Sequence, residues 1–266
     1  LNILNHYIII TTLDVILKLA GRMDMKLTVF GNNATCPMAD GACSCYLLET
    51  KTEKILMDMG NGSMAKLQQR TDLSAIDIII ISHLHFDHMA DLFCAKYQLE
   101  TRRAKGEKID PILLMTPRLP EWAKEELLSN QVFEHIEVKN GMIYPLKNGR
   151  IVFTGVVHLI ESYAVRVEED SKSFVYSGDT GLCPEVQFAA RNADLFLCEA
   201  TVPEGESAET GHHLSVRSAA EIAKNADVKM LLLTHLSTVH KEKIQEEASR
   251  YFHNAQVSEM LREYIF

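Results

Sequence analysis

The stretch Ser82-His83-Leu84-His85-Phe86-Asp87-His88 follows the apolar run Ile78 to Ile81 and precedes a helical pattern that starts near Met89, so it occupies a strand-to-helix turn. At this chain's content of histidine and aspartate, the pattern HxHxDH arises by chance in about one such chain in a thousand, too rarely to be an accident of composition. Residues two apart in extended chain point to the same side, so His83 and His85 can grip one ion. The turn into the helix redirects Asp87 and His88 toward a second. Imidazole nitrogens with a carboxylate suit zinc first, and manganese or iron as alternatives.

Four residues cannot complete two sites, and the remaining donors are expected at later strand ends. His158 closes the run 151–157, Asp179 lies in Tyr176-Ser177-Gly178-Asp179-Thr180, and His235 closes Leu231-Leu232-Leu233-Thr234. Each alone is weak, because a glycine-aspartate turn is usually a cap; together with HxHxDH they form a set. Of the 11 histidines, those at 83, 85, 88, 158, 212, 213 and 235 fall at strand ends or loop mouths, where an open sheet presents functional groups. His6, His135, His240 and His253 read as surface or packing residues.

Around this set the chain alternates short β-rich runs with helical stretches and carries no Gly/Ser linker or repeat. Strands are expected at 26–30, 43–49, 54–57, 76–81, 112–115, 150–157, 163–167, 174–176, 195–198 and 230–233, and helices at 64–69, 89–103, 121–129, 216–225 and 241–252. Strands with helices between them in both halves predict two facing sheets with helices outside, in one domain over 23–266. Residues 1–22 read as an extension. Leu13, Ile16, Leu17 and Ala20 follow a helical pattern that suits docking on the body or on a second copy, which leaves a homodimer open, and equally an appendage without function. The segment Gly60-Asn61-Gly62-Ser63 reads as a turn into a helix before it reads as a phosphate cradle.

Lys and Arg total 27 against 36 Asp and Glu, and a net charge of -9 disfavours nucleic acid as a partner. No apolar run approaches the roughly 20 residues of a membrane span. The 6 cysteines show no CxxC spacing and no secretory n-region precedes them, so free thiols in a reducing, cytoplasmic setting are expected. Cys36, Cys43 and Cys45 lack a fourth ligand for a structural zinc site.

With its motifs in the order from His83 to His235, the chain resembles the metallo-β-lactamase fold superfamily of hydrolases over essentially Met25 to the C terminus. Within it, the ribonuclease Z and phosphodiesterase branch is the most similar, on Glu161-Ser162-Tyr163 after His158, Ser177-Gly178-Asp179-Thr180, Glu199-Ala200-Thr201 and Leu233-Thr234-His235-Leu236-Ser237. The resemblance implies an α/β fold, a four-layer αββα sandwich of two mixed β-sheets with outer helices. It implies two divalent metal ions, one on His83, His85 and His158, the other on Asp87, His88 and His235, with Asp179 bridging them. It also implies His213, 22 positions before His235, as a catalytic histidine oriented by Glu199, with Asp87 counted beside them and Asp58 as a support behind the ligands. His212 stays as the rival to His213.

Ribonuclease Z carries a long arm that grips transfer RNA between the positions matching His158 and Asp179, whereas here 20 residues intervene and all are needed for two strands and a turn. A small-molecule substrate is therefore expected, a phosphodiester such as a cyclic nucleotide, attacked by a hydroxide between the ions and protonated on departure by His213. The alternatives are a lactone or carboxylic ester hydrolase, a transfer RNA 3′ processing nuclease, and a non-catalytic interaction protein that retains the fold.

Overall fold

The computed structural model describes residues 24–202, 211–237 and 241–266; the helical reading of residues 1–22 lies outside them. Strands β1 (Lys26–Gly31), β2 (Cys45–Glu49), β3 (Lys54–Met57), β4 (Ile78–Ile80), β5 (Ile112–Thr116) and β6 (Phe133–Glu137) follow one another across a first sheet. A second sheet takes β7 (Ile143–Leu146), β8 (Gly149–Val156), β9 (Ser162–Glu169), β10 (Lys172–Tyr176), β11 (Leu195–Glu199), β12 (Met230–Thr234) and β13 (Ala255–Val257). The chain then returns to the first sheet, where β14 (Glu263–Ile265) pairs with β1. Both sheets are mixed: β3 to β6 and β10 to β13 run parallel, and the other pairs run antiparallel.

Alternation along the strands makes the layers. Ile78 and Ile80 of β4 face the core between the sheets, with Leu27, Tyr46, Phe153, Phe174, Leu195, Leu197 and Leu232, while Ile79 and Ile81 face outward. On that outer side lie α1 (Ser63–Leu67), α2 (Phe86–Ala104) and α3 (Glu121–Leu128). Phe196, Cys198, Leu231 and Leu233 face the other way, toward α4 (Pro184–Ala190), α5 (Val216–Asn225) and α6 (Lys241–Tyr251). Helix α5 shows why such segments form. The Ser215 hydroxyl caps it by accepting from the Ser218 amide, and Val216, Ala219, Ala220 and Ala223 put one face into the core at helical spacing. The result is the expected αββα sandwich of two mixed sheets.

The expected strand 76–81 shortens to Ile78–Ile80, because Leu73–Ala75 forms a 3-10 turn capped by Asp72, and the strand expected from residue 43 starts at Cys45. Four strands are absent from the sequence reading, β6, β7, β13 and β14, and they are the four sheet edges. Edge strands are short and carry charge or proline, as in Phe133-Glu134-His135-Ile136-Glu137 and Ile143-Tyr144-Pro145-Leu146, so no alternating apolar pattern marks them. Helix α4 spans only two turns behind Pro184, too short for a periodic signal. All 6 cysteines are free, and Cys45, Cys183 and Cys198 pack in the outer cores. Among the described residues no helix is long and apolar enough to cross a membrane.

Candidate metal centre

The residues read from the sequence gather at one end of the sandwich. His83, His85, Asp87 and His88 lie between β4 and the first turn of α2, His158 follows β8, Asp179 follows β10, Glu199 ends β11 and His235 follows β12. Three groups result among the described residues, each with donor atoms within 4.8 Å of one another: His83, His85, His158 and Asp179; Asp87, His88 and His235; and Asp179, His213 and His235, which overlaps both of the others. His83 Nε2 and His158 Nε2 each stand 3.1 Å from His85 Nδ1. His88 Nε2 and Asp87 Oδ2 each stand 3.2 Å from His235 Nε2. Asp179 spans the groups, with Oδ2 3.6 Å from His83 Nε2 and 3.4 Å from His235 Nε2, and Oδ1 3.4 Å from His88 Nε2.

Hydrogen bonds behind the rings assign their tautomers. His83 Nδ1 donates to Ser82 Oγ at 3.1 Å, and His88 Nδ1 donates to Asp58 Oδ2 at 2.7 Å. His158 Nδ1 donates to the His212 carbonyl at 2.9 Å, and His235 Nδ1 to Thr201 Oγ1 at 2.7 Å. In its neutral form each of these rings is thereby left with a bare Nε2, and those nitrogens converge on one another. The lone pairs of His88 and His235, 3.2 Å apart, repel unless a cation sits between them. Asp179 Oδ1 is buried with no hydrogen-bond partner. A converging set of acceptors with an orphaned carboxylate oxygen fits divalent metal ions, and the nitrogen and oxygen donors fit zinc, manganese or iron.

Charge states agree with that fit. Burial holds His83 well below the ordinary histidine value, helped by the neighbouring His88, and burial likewise lowers His85 and His158. Burial alone would raise the Asp87 and Asp179 carboxyls, but the surrounding histidines outweigh it and hold both low. His88 moves upward because the Asp179 and Asp58 carboxylates outweigh its burial. The potential that draws a proton to His88 is the one that draws a metal cation.

Asp58 anchors the centre from behind. Fully buried, it accepts from the Ser82 amide at 2.7 Å, the Ser82 hydroxyl at 2.9 Å, His88 Nδ1 at 2.7 Å and the Tyr176 hydroxyl at 2.8 Å. Asp58 and His235 both hold left-handed backbone, with φ of 58° and 54°, strain that the surrounding bonds offset. Gly60 has no room for a side chain, since a Cβ there would lie 1.9 Å from the Asp87 carbonyl; the segment is a turn into α1. A Cβ on Gly181 would lie 1.9 Å from the Gly211 carbonyl, so only glycine lets the chain ahead of His212 approach the strand end that carries Asp179.

His213 lies beside both groups, its ring stacked on His235 at 5.7 Å and its Nδ1 3.9 Å from Asp179 Oδ2. Its Nδ1 donates to Glu199, 3.1 Å from each carboxylate oxygen. Glu199 is fully buried and also accepts from the Thr180 amide at 2.6 Å, the Thr201 hydroxyl at 2.6 Å and the Leu214 amide at 3.3 Å. Burial lowers the His213 imidazole, but the Glu199 hydrogen bond and charge outweigh it and raise the value. His212 acts through its backbone carbonyl, which orients His158. The sequence alone assigns no role to Thr201, Ser82, Tyr176 or that carbonyl, although Ser82, Thr201 and Tyr176 all stand inside the quoted motifs. His135 bonds Thr116 Oγ1 at 2.9 Å away from the centre, His253 is exposed, and His6 and His240 lie outside the described residues. Among the described residues, none of the donor groups includes a cysteine.

A family profile described as the beta-lactamase superfamily domain matches residues 53–236. An uncharacterized protein of Mycobacterium leprae is 32% identical over 238 residues, covering 86% of this chain and 84% of its own length. The probable metallo-hydrolase YhfI of Bacillus subtilis is 28% identical over 238 residues, covering 86% and 94%. The crystal structure of YhfI superimposes with a TM-score of 0.86 over 91% of this chain and 100% of that one, at 24% identity. Ribonuclease Z of Ignicoccus hospitalis is 25% identical over 300 residues, covering 90% and 98%.

Proposed function

The chain belongs to the beta-lactamase superfamily as a metal-dependent hydrolase of the metallo-β-lactamase fold, and from that premise we propose that it cleaves small phosphodiesters such as cyclic nucleotides. In this reading His83, His85 and His158 hold one divalent ion, Asp87, His88 and His235 hold a second, and Asp179 is shared. Ions bound there supply positive charge for the phosphoryl oxygens and lower the pKa of a water toward neutrality.

The rest is the work of this chain's own residues. Asp179 and Asp87 bring negative charge to the donor set, and Asp58, Thr201 and the His212 carbonyl hold the imidazoles with Nε2 turned inward. His213 presents Nε2 away from Glu199 and is partly exposed, so it can hold a proton where a leaving oxygen would emerge. The single observation that carries the reading is this pair, a buried carboxylate with four donors fixing an imidazole beside both groups. A poor alkoxide leaving group needs such a donor. The 20 residues between His158 and Asp179 and the net charge of -9 support a small substrate over a polynucleotide.

His213→Ala is the test. Proton donation to a leaving group contributes about a hundredfold to ten-thousandfold, and an alkoxide needs it where p-nitrophenolate does not. With metal retained, the variant should slow a cyclic nucleotide or alkyl diester by that factor and bis-p-nitrophenyl phosphate far less. Loss of a metal ion would make His213 a ligand, and equal slowing of both would point to charge stabilisation. A wild-type protein that turns over lactones and no diester would favour the carboxylic ester reading.

A further inference from the structure

Thr201 lies just past β11, with its hydroxyl between two groups that the centre needs. His235 Nδ1 is 2.7 Å from Thr201 Oγ1 on one side, and Glu199 Oε2 is 2.6 Å away on the other. The hydroxyl has one proton and three acceptors within reach, the Glu199 carboxylate at 2.6 Å, the His235 Nδ1 lone pair of the other ring tautomer at 2.7 Å and the His235 carbonyl at 3.1 Å. The shorter, charge-assisted bond wins. Thr201 then offers only lone pairs to His235 Nδ1, which must carry the hydrogen. That tautomer leaves Nε2 bare toward His88 and Asp87, each 3.2 Å away. Among the described residues, Thr201 is the one side chain hydrogen-bonded to both Glu199 and His235.

We propose that Thr201 is a positioning residue that ties the Glu199–His213 pair to the Asp87, His88 and His235 donor group through its single hydroxyl. One proton arrangement serves both ends: it turns the His235 lone pair toward a metal ion and braces the carboxylate that orients His213. Without the hydroxyl, His235 is free to place its hydrogen on Nε2, and Glu199 loses a fixed donor. The inference rests on the reading of His213 as proton donor, and it adds that donor geometry and metal affinity are coupled.

The test compares Thr201→Val, which keeps the shape and removes the hydroxyl, with Thr201→Ser, which keeps the hydroxyl. Thr201→Ala is a second hydroxyl-free variant should valine prevent folding, and thermal melts in chelator check the fold of each. Zinc affinity is read by competition with a chelator, and the ratio of alkyl to aryl diester hydrolysis is read at saturating zinc. Thr201→Val should lose about tenfold to a hundredfold in affinity for one of two ions, the usual cost of removing a partner behind a metal-binding histidine. Its alkyl-to-aryl ratio should fall about tenfold or more. Thr201→Ser should stay near wild type on both. A folded hydroxyl-free variant in which either readout stays unmoved overturns the coupling, as does a serine variant that fails like valine. His213→Ala, run alongside, separates the two claims. A selective alkyl defect there, with none in Thr201→Val, overturns the coupling alone. No selective defect in either overturns the donor reading, and the affinity measurement still decides whether Thr201 holds His235.

Discussion

Asp179→Ala should remove tight binding of both metal ions and lower phosphodiester hydrolysis by a factor on the order of a thousand or more, the scale of several kcal/mol of lost charge stabilisation. Among the described residues its carboxylate is the one group that stands 3.4 Å from His88 and His235 and 3.6 Å from His83, the placement needed to hold both groups' ions together. The fold itself should survive. Without metal the carboxylate is a buried charge whose attraction to the surrounding histidines outweighs its desolvation, so its removal costs some stability. Thermal melts should therefore show a folded metal-free protein somewhat less stable than wild type, with the stabilisation by added zinc gone. Retention of two ions by elemental analysis in the folded variant would contradict the shared role of Asp179.

Asp58→Asn tests a different layer with a comparably large effect. The aspartate accepts four hydrogen bonds in a fully buried position, and asparagine keeps its shape while turning one acceptor into a donor. Facing His88 Nδ1, an amide N–H forces that nitrogen to accept, which moves the ring hydrogen to Nε2 and removes the lone pair from the metal centre. The expected outcome is a folded protein whose affinity for one ion falls by about a hundredfold. Asp58→Ala should instead destabilise the fold by about 3 kcal/mol or more, since it strands several buried donors at about 1 to 3 kcal/mol each. Urea unfolding in chelator separates the variants. An Asp58→Asn protein with wild-type zinc affinity would show that the His88 tautomer is set elsewhere.

How much of this was legible before any coordinates depends on what each feature writes into the chain. Ile78 to Ile81 and Leu231 to Leu233 announce central strands because both faces of those strands are covered, and apolar runs are the direct consequence. The edge strands around Glu134 and Pro145 carry no such mark, since half of an edge faces water and its pattern must discourage pairing with other chains. The donors at 83, 85, 87 and 88 are legible because four of them crowd into six residues. His158, Asp179 and His235 needed the resemblance to join them, for nothing local says that ends of β8, β10 and β12 meet. Thr201 shows the limit. Threonine past a strand is ordinary, and only the 2.6 and 2.7 Å distances reveal that its hydroxyl lies between a carboxylate and an imidazole.

The central claim is that this chain holds two divalent ions in one shared centre, and anomalous diffraction from crystals of the zinc-loaded protein, collected on both sides of the zinc edge, tests it most directly. Two peaks per chain are expected about 3.5 to 4 Å apart, one among His83, His85 and His158 and the other among Asp87, His88 and His235, with Asp179 between them. A single peak, or a second one away from these residues, would contradict the account.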